Sequence, residues 1–248
     1  MRAILTYHSI DRSGSPISVA PETFQTHRTW LTSGRVRALS LDDIVMHADA
    51  GEDAVAVTFD DGFLNAREAL QSLLSDGVPV AVFVVSGHVG GTNAWGGRTQ
   101  PGIPTQPLLD WSDLEGLASR GAAIGAHTRT HRRLTGLSDA ALDEELQGCA
   151  DDLRGRLGAR SAHVAYPYGD ADRRVAARAA RHFRYGHSTD FGLLGSQDPP
   201  MRGPRLDMFY FRAPGAIEAW GSSRFRQRLG WIRARRMVRK RIGRVWCW

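Results

Sequence analysis

Three short stretches of this chain bring acid–base and metal-ligating side chains together. The first, Thr58-Phe59-Asp60-Asp61-Gly62, closes an apolar run with two adjacent acids and a glycine. The second, His127-Thr128-Arg129-Thr130-His131, holds a His-x-x-x-His pair. The third, Ala165-Tyr166-Pro167-Tyr168-Gly169, is a turn sequence after another apolar run. Neighbouring carboxylates repel each other, and a divalent metal is the usual remedy. Two histidines and one carboxylate form a common catalytic set for such an ion, because they leave positions open for water and substrate. One acid can then bind metal while the other stays free to take a proton. A metal lowers the pKa of water it binds, and a nearby carboxylate can remove that proton, giving a nucleophile for a carbonyl carbon. A backbone N–H at the Tyr168-Gly169 turn is available to stabilise the tetrahedral oxyanion together with the metal. The chemistry is hydrolysis of an amide or ester without a Ser or Cys nucleophile. Each stretch alone is weak, since Asp-Gly turns after strands are common. Their joint occurrence at strand ends is the informative feature.

The surrounding elements must carry these stretches to one face. Ala54 to Phe59 reads as a buried strand with the acids at its carboxyl end, where α/β proteins place their chemistry. Phe63 to Ser75 reads as a helix, with Leu64, Ala66, Leu70, Leu73 and Leu74 at helical spacing. Pro79 to Val85 is a second buried strand, which completes a right-handed βαβ unit. Ala122 to Ala126 delivers the histidine pair, and Val164 to Tyr166 delivers the third stretch. Arg2 to Tyr7 reads as the first strand, Phe183 to Ser188 as a later one, and Arg205 to Phe209 as one more. Helices are expected from Pro21, after Ser40, after Ser112, over Ser138–Gly158 and over Ala171–Arg181. The Gly- and Pro-rich segment from Gly87 to Leu109, with Trp95, is expected to be a long loop over the site. Trp111 is expected to pack a helix start. The alternation of strands and helices predicts a parallel sheet or barrel, and on a barrel these strand ends converge on one face.

The chain has 248 residues, 42% apolar and 23% charged, enough for one substantial α/β core. No stretch approaches the roughly 20 apolar residues of a membrane span. The N-terminus enters a strand-like run directly, without a signal-peptide pattern, so a cytoplasmic location is expected. Cys149 and Cys247 are too far apart and too few for a disulfide framework or a Cys-based zinc site. The net charge of +6 is unevenly distributed: after Glu218 the chain has no acid but nine Arg and Lys240, and removing those ten charges leaves −4 for the rest. The basic property therefore belongs to the tail, and no recognition motif accompanies it, so nucleic acid is not an expected partner. Residues 1–215 are read as the catalytic domain and 216–248 as a basic amphipathic C-terminal tail. Phe225, Leu229, Trp231, Ile232, Val238, Ile242 and Trp246 alternate with arginine there. The tail reads equally as a helix on an anionic membrane surface, which would suit an enzyme acting on a lipid-linked sugar, or as a helix packed on the barrel with a solvated basic face.

Taken in order, the three stretches resemble the first three motifs of the polysaccharide deacetylases, the NodB-homology group of carbohydrate esterase family 4. The opening Leu5-Thr6-Tyr7-His8-Ser9-Ile10 fits as well, as does the approach from Trp111-Ser112-Asp113-Leu114 to Ile124-Gly125-Ala126-His127. The resemblance implies an α/β fold, a distorted (β/α) barrel of seven or eight strands, to which the basic helical tail is added. It implies Asp60 as general base, Asp61, His127 and His131 as ligands of a divalent metal, usually zinc, and the Tyr168 N–H in the oxyanion hole. The implied activity is removal of N-acetyl groups from an amino sugar in a polysaccharide, oligosaccharide or glycolipid. The donor set itself also admits cobalt, nickel or manganese.

Two departures from the family pattern bear on this reading. Ala165 stands where many members carry an arginine that orients the catalytic acid. No histidine follows His187, although the family's late motif usually supplies one as general acid. His8, His187 or water on the metal are the candidates to replace it, and with Pro167 the two histidines are candidate substrate-site residues. The alternatives are a catalytically inactive glycan-binding barrel, or the same metal chemistry acting on an O-acetyl ester or another acyl group.

Overall fold

The computed structural model describes residues 1–47, 51–158 and 160–241, with side chains described to residue 238. Its strands are β1 (Arg2–Tyr7), β2 (Ser9–Ile10), β3 (Ser18–Val19), β4 (Arg37–Ala38), β5 (Ala54–Phe59), β6 (Val80–Val84), β7 (Ala123–Ala126), β8 (His163–Ala165), β9 (Tyr185–Phe191) and β10 (Gly203–Asp207). Its helices are α1 (Pro21–Leu31), α2 (Leu41–Met46), α3 (Arg67–Ser75), α4 (Trp111–Ser119), α5 (Asp139–Leu157), α6 (Arg173–Ala179) and α7 (Ser223–Arg241). The β-branched runs of β5 and β6 are buried along their whole length, as expected for parallel strands covered on both faces.

Seven parallel strands pair in the order β1-β10-β9-β8-β7-β6-β5, and a β1–β5 pairing closes the ring. β4 adds to β5 at Ala54 and Val55, on the edge that β6 occupies at Val57 to Phe59. The eighth strand therefore extends the foot of the ring without opening it, and the barrel has seven staves. Alternation along the strands separates two cores. Val55, Val57 and Phe59 face the helices, whereas Ile4, Ala56, Ala81, Phe83 and Ala165 fill the barrel interior. β1 and β5 run in register from Arg2↔Ala54 to Tyr7↔Phe59. The next residues, His8 and Asp60, therefore emerge side by side at the carboxyl mouth, where the Asp60 N–H donates to the Tyr7 carbonyl at 2.9 Å.

Some element boundaries differ from the sequence reading. The helix expected from Phe63 begins as a 3-10 turn at Leu64–Ala66. β9 continues to Phe191, and β10 begins at Gly203, two residues before the expected Arg205. The β9–β10 register shifts between Gly203 and Arg205, on either side of Pro204. Proline has no N–H to give the ladder, so it sits at such an irregularity. Arg205 is thereby placed inside the strand rather than at its start.

Helix α7 packs Phe225, Leu229 and Ile232 against the barrel. Phe225 stacks on Phe211 at 5.5 Å and tilts against Trp220 at 5.0 Å. Ile242, Trp246 and Cys247 lie outside the described residues. No helix among the described residues is long and apolar enough to cross a membrane.

The interior tolerates little change beneath the site. A Cβ on Gly125 would lie 2.4 Å from Phe83 Cδ1 and 2.5 Å from Cε1. Phe83 is fully buried, with its ring centroid 5.5 Å from that of His187 and 5.8 Å from the Arg205 guanidinium, so any shift of the ring disturbs those neighbours. Gly125→Ala is expected to lower stability by about 1–3 kcal/mol, the usual cost of overpacking. Denaturant unfolding measures this; an unchanged midpoint would contradict the packing described.

Candidate active site

Asp61 follows β5, His127 follows β7, and His131 lies four residues further on. All three are buried, and one donor atom from each lies within 4.8 Å of the others. The Nε2 atoms of His127 and His131 are each 3.2 Å from Asp61 Oδ1. Despite these short distances Oδ1 accepts no aligned hydrogen bond. The three atoms thus face a common point rather than pairing with one another. His127 Nδ1 is 2.7 Å from the Ala165 carbonyl, which can only accept, so Nδ1 carries the proton and the Nε2 lone pair is directed into the cluster. His131 Nδ1 is held by the Tyr168 hydroxyl at 3.2 Å, and its ring stacks on Trp95 at 4.5 Å. A buried orphan carboxylate oxygen and two oriented imidazole nitrogens fit a divalent cation. Electrostatics agree. Burial favours a neutral Asp61, yet the two imidazoles outweigh it and hold that carboxyl well below the usual range. Burial likewise opposes charge on His127, but the Asp61 and Asp60 carboxylates outweigh it and raise its pKa. At His131, by contrast, burial outweighs Asp61 and lowers the pKa, so that imidazole stays neutral and keeps a lone pair for a cation.

The backbone at this mouth is strained in a consistent way. Asp61, Thr128, His131 and Tyr168 all have φ between 60° and 69°, and no other described non-glycine residue has positive φ. Such conformations are costly for L-residues and gather at functional sites. Gly169 follows Tyr168 at φ +66°, and a Cβ there would lie 2.1 Å from Thr189 Oγ1 and 2.7 Å from the Thr189 backbone nitrogen. Only glycine lets this turn close against β9.

Asp60 is held differently. Its Oδ1 accepts from Arg205 Nη1 at 2.8 Å and its Oδ2 from Arg205 Nη2 at 2.7 Å, a bidentate fork. Arg205 Nε donates to the Ser188 carbonyl at 3.1 Å, which locks the guanidinium plane. Burial alone would raise the Asp60 pKa; Arg205, then His127, outweighs it and keeps the carboxyl below its ordinary value. Arg205 thus provides what Ala165 lacks, from β10 instead of β8. A signal for it exists in the sequence: Gly203, Arg205 and Asp207 alternate with Pro204, Leu206 and Met208, a period-two pattern that turns the charged residues inward. Placing the strand start at Arg205 hid that alternation.

The cleft over these groups is lined by His8, Asp60, Asp61, His127, His131, Tyr168, Tyr166 and Thr189, with Ile17, Phe63, Asn93, Trp95, Gln100 and Ile103 from surrounding loops. His8 Nε2 lies 3.9 Å from Asp60 Oδ2. His187 does not line the cleft. It sits inside the barrel, where its Nε2 is 2.9 Å from His163 Nδ1. Pro167 is buried and does not line the cleft either. Trp111 begins α4 and packs against the core under Arg156, away from the cleft. The loop from Gly87 to Leu109 forms a tied wall. Asn93 is buried, donates to the Pro104 carbonyl and accepts from the Gln106 N–H, while Gln100 donates to the Tyr168 hydroxyl at 3.2 Å.

A closed seven-stranded parallel barrel with this cluster at its mouth belongs to the deacetylase type of (β/α)7 fold. A deacetylase from Streptococcus pyogenes, PplD, solved in complex with acetate, is 19% identical, with 83% of this chain and 91% of that chain covered and a TM-score of 0.70. IcaB from Ammonifex degensii is 20% identical over 94% of this chain and 97% of its own, again with a TM-score of 0.70. The deacetylase domain of BpsB from Bordetella bronchiseptica is 19% identical over 83% and 94%, with a TM-score of 0.67. These likenesses concern the fold. No curated protein matches the sequence. Residues 47–185, more than half of the chain, match the polysaccharide deacetylase family, and the chain belongs to that family.

Proposed function

We propose that this chain is a divalent-metal-dependent N-deacetylase that hydrolyses the acetamide of an amino sugar in a polysaccharide, oligosaccharide or glycolipid. One observation carries the reading: an arginine-clamped Asp60 shares a cleft with the converging donors of Asp61, His127 and His131. Those three residues would hold the cation, zinc by family precedent, which when bound supplies Lewis acidity and makes water a better acid. Asp60 is the group that takes a proton, and Arg205 keeps it ionised and aimed. The backbone N–H of Tyr168 is the oxyanion donor in this reading, presented by the left-handed turn that Gly169 closes. His8 is assigned as the proton donor to the leaving amine, because it lines the cleft beside Asp60 and His187 does not. Acetate, present in the PplD structure, is the product such a reaction releases.

The test uses the full chain, stripped of metal by chelation and reloaded with one metal at a time. Acetate release from N-acetylglucosamine oligomers is expected to vanish on chelation and return on reloading. His8→Ala is expected to lower kcat by about 10²-fold or more while bound metal is unchanged. Tight metal binding with no release from any acetylated sugar would sink the reading. Release only from O-acetyl esters would redirect it to an esterase.

A further inference from the structure

Helix α7 carries two apolar stripes, and the barrel uses only one. Phe225, Leu229 and Ile232 form the inner stripe and are buried. Arg228 and Arg236 point the same way: both donate to the Tyr210 residue, Arg228 to its carbonyl and Arg236 to its hydroxyl, and Arg236 also donates to the Thr189 carbonyl. On the opposite side, helical spacing aligns Gly230, Trp231, Ala234, Met237 and Val238, all exposed. Trp231 is 59% exposed, Met237 61% and Val238 54%. Three of the four large apolar side chains exposed among the described residues therefore share one helix face. Such concentration marks an interaction surface.

Arginines border this outer stripe on both sides. By helical angle, Arg226 and Arg233 flank it on one side and Arg224 and Arg235 on the other. All four are exposed, and none forms a salt bridge among the described residues. The Arg235 guanidinium lies 4.5 Å over the Trp231 ring, so cation and indole sit at one level. An apolar stripe edged by cations, with tryptophan at the border, is complementary to the interface of an anionic bilayer. A second copy of the chain would oppose arginine with arginine across a two-fold axis. A nucleic acid would use the arginines but leave the Trp231, Met237 and Val238 stripe without purpose.

We propose that the outward face of α7 docks the protein on an anionic lipid surface. The helix runs along the barrel flank. Trp220, just before it, donates to Asp53 at the foot of β5, whereas Arg236 reaches Thr189 on the wall of the cleft. Docked by this flank, the barrel lies on its side with the cleft opening at headgroup level. That placement suits a glycan that is attached to, or lies along, a membrane.

The test is co-sedimentation of the full chain with vesicles, which is independent of enzyme activity. Binding is expected to phosphatidylglycerol-containing vesicles and not to pure phosphatidylcholine, and to weaken with salt. Trp231→Ser with Met237→Ser and Val238→Ser is expected to lower the partition coefficient by about tenfold or more. Arg224→Gln, Arg226→Gln, Arg233→Gln and Arg235→Gln together are expected to do the same. Circular dichroism and Tm should not change, because these side chains are exposed. The proposal is overturned if the native chain ignores anionic vesicles or if either variant binds them undiminished. It is equally overturned if the stripe variant leaves vesicle binding intact but abolishes self-association or retention of duplex DNA.

Discussion

Asp60→Asn is expected to reduce acetate release by about 10²–10⁴-fold, the range for loss of a positioned general base. The amide keeps the shape of the carboxylate but cannot take a proton. The proposed metal donors are Asp61, His127 and His131, so metal content should stay at the native level. That split separates Asp60 from its neighbour: Asp61→Asn should lose metal and activity together. The two acids are adjacent in sequence yet differ in surroundings. Asp61 offers an orphan oxygen to two imidazoles, and Asp60 gives both oxygens to one guanidinium. Measuring bound metal beside kcat for both variants checks the division. An Asp60→Asn enzyme with native kcat would remove Asp60 from the chemistry.

Arg205→Met should impair both stability and rate. Arg205 and Asp60 form a pair with side chains 3% exposed, and removing one partner of a buried pair typically costs about 3–5 kcal/mol. The pH dependence has a definite sign. Asp60 is held below its ordinary value in the folded protein, so its contribution to stability is present above the unfolded aspartate value, about 3.9, and is lost as pH falls through the folded value. Without Arg205, burial meets less opposition and the Asp60 pKa rises. The acidic limb of the kcat/KM profile is then expected to move to higher pH, and Tm to fall. Arg205→Lys keeps a charge but not the planar fork, so it should recover part of the stability and little of the orientation. An Arg205→Met protein with native Tm and an unmoved acidic limb would show that the clamp has no part in the site.

The sequence carried the local information well. The β-branched runs at Ala54 and Val80 announced buried parallel strands, because burial on both faces selects such residues. The acids after Phe59, the histidines after Ala126 and the turn after Ala165 could be placed at strand ends. Parallel strands with helical crossovers then send those ends to one side. A parallel sheet or barrel with these ends on one side followed from the patterns, and the family resemblance narrowed it to a barrel with Asp60, Asp61, His127, His131 and Tyr168 in one cleft.

Tertiary structure decided what depends on neighbours distant in the chain. Arg205 is 145 positions from Asp60, and nothing local to either residue states that β10 and β5 both flank β1. That adjacency exists because the ring closes through β1, and closure is a property of all seven strands. The same closure brings His8 beside Asp60 by register, while the two-residue period of β9 turns His187 into the barrel interior. In α7 the sequence showed a basic amphipathic helix, but a helix has no intrinsic outside. Only docking of Phe225, Leu229 and Ile232 on the barrel determined which stripe remained exposed. Residue type and short spacing are encoded locally, so they identify the chemistry. Register, closure and the choice of buried face arise from long-range packing, so they determine which residues hold that chemistry in place.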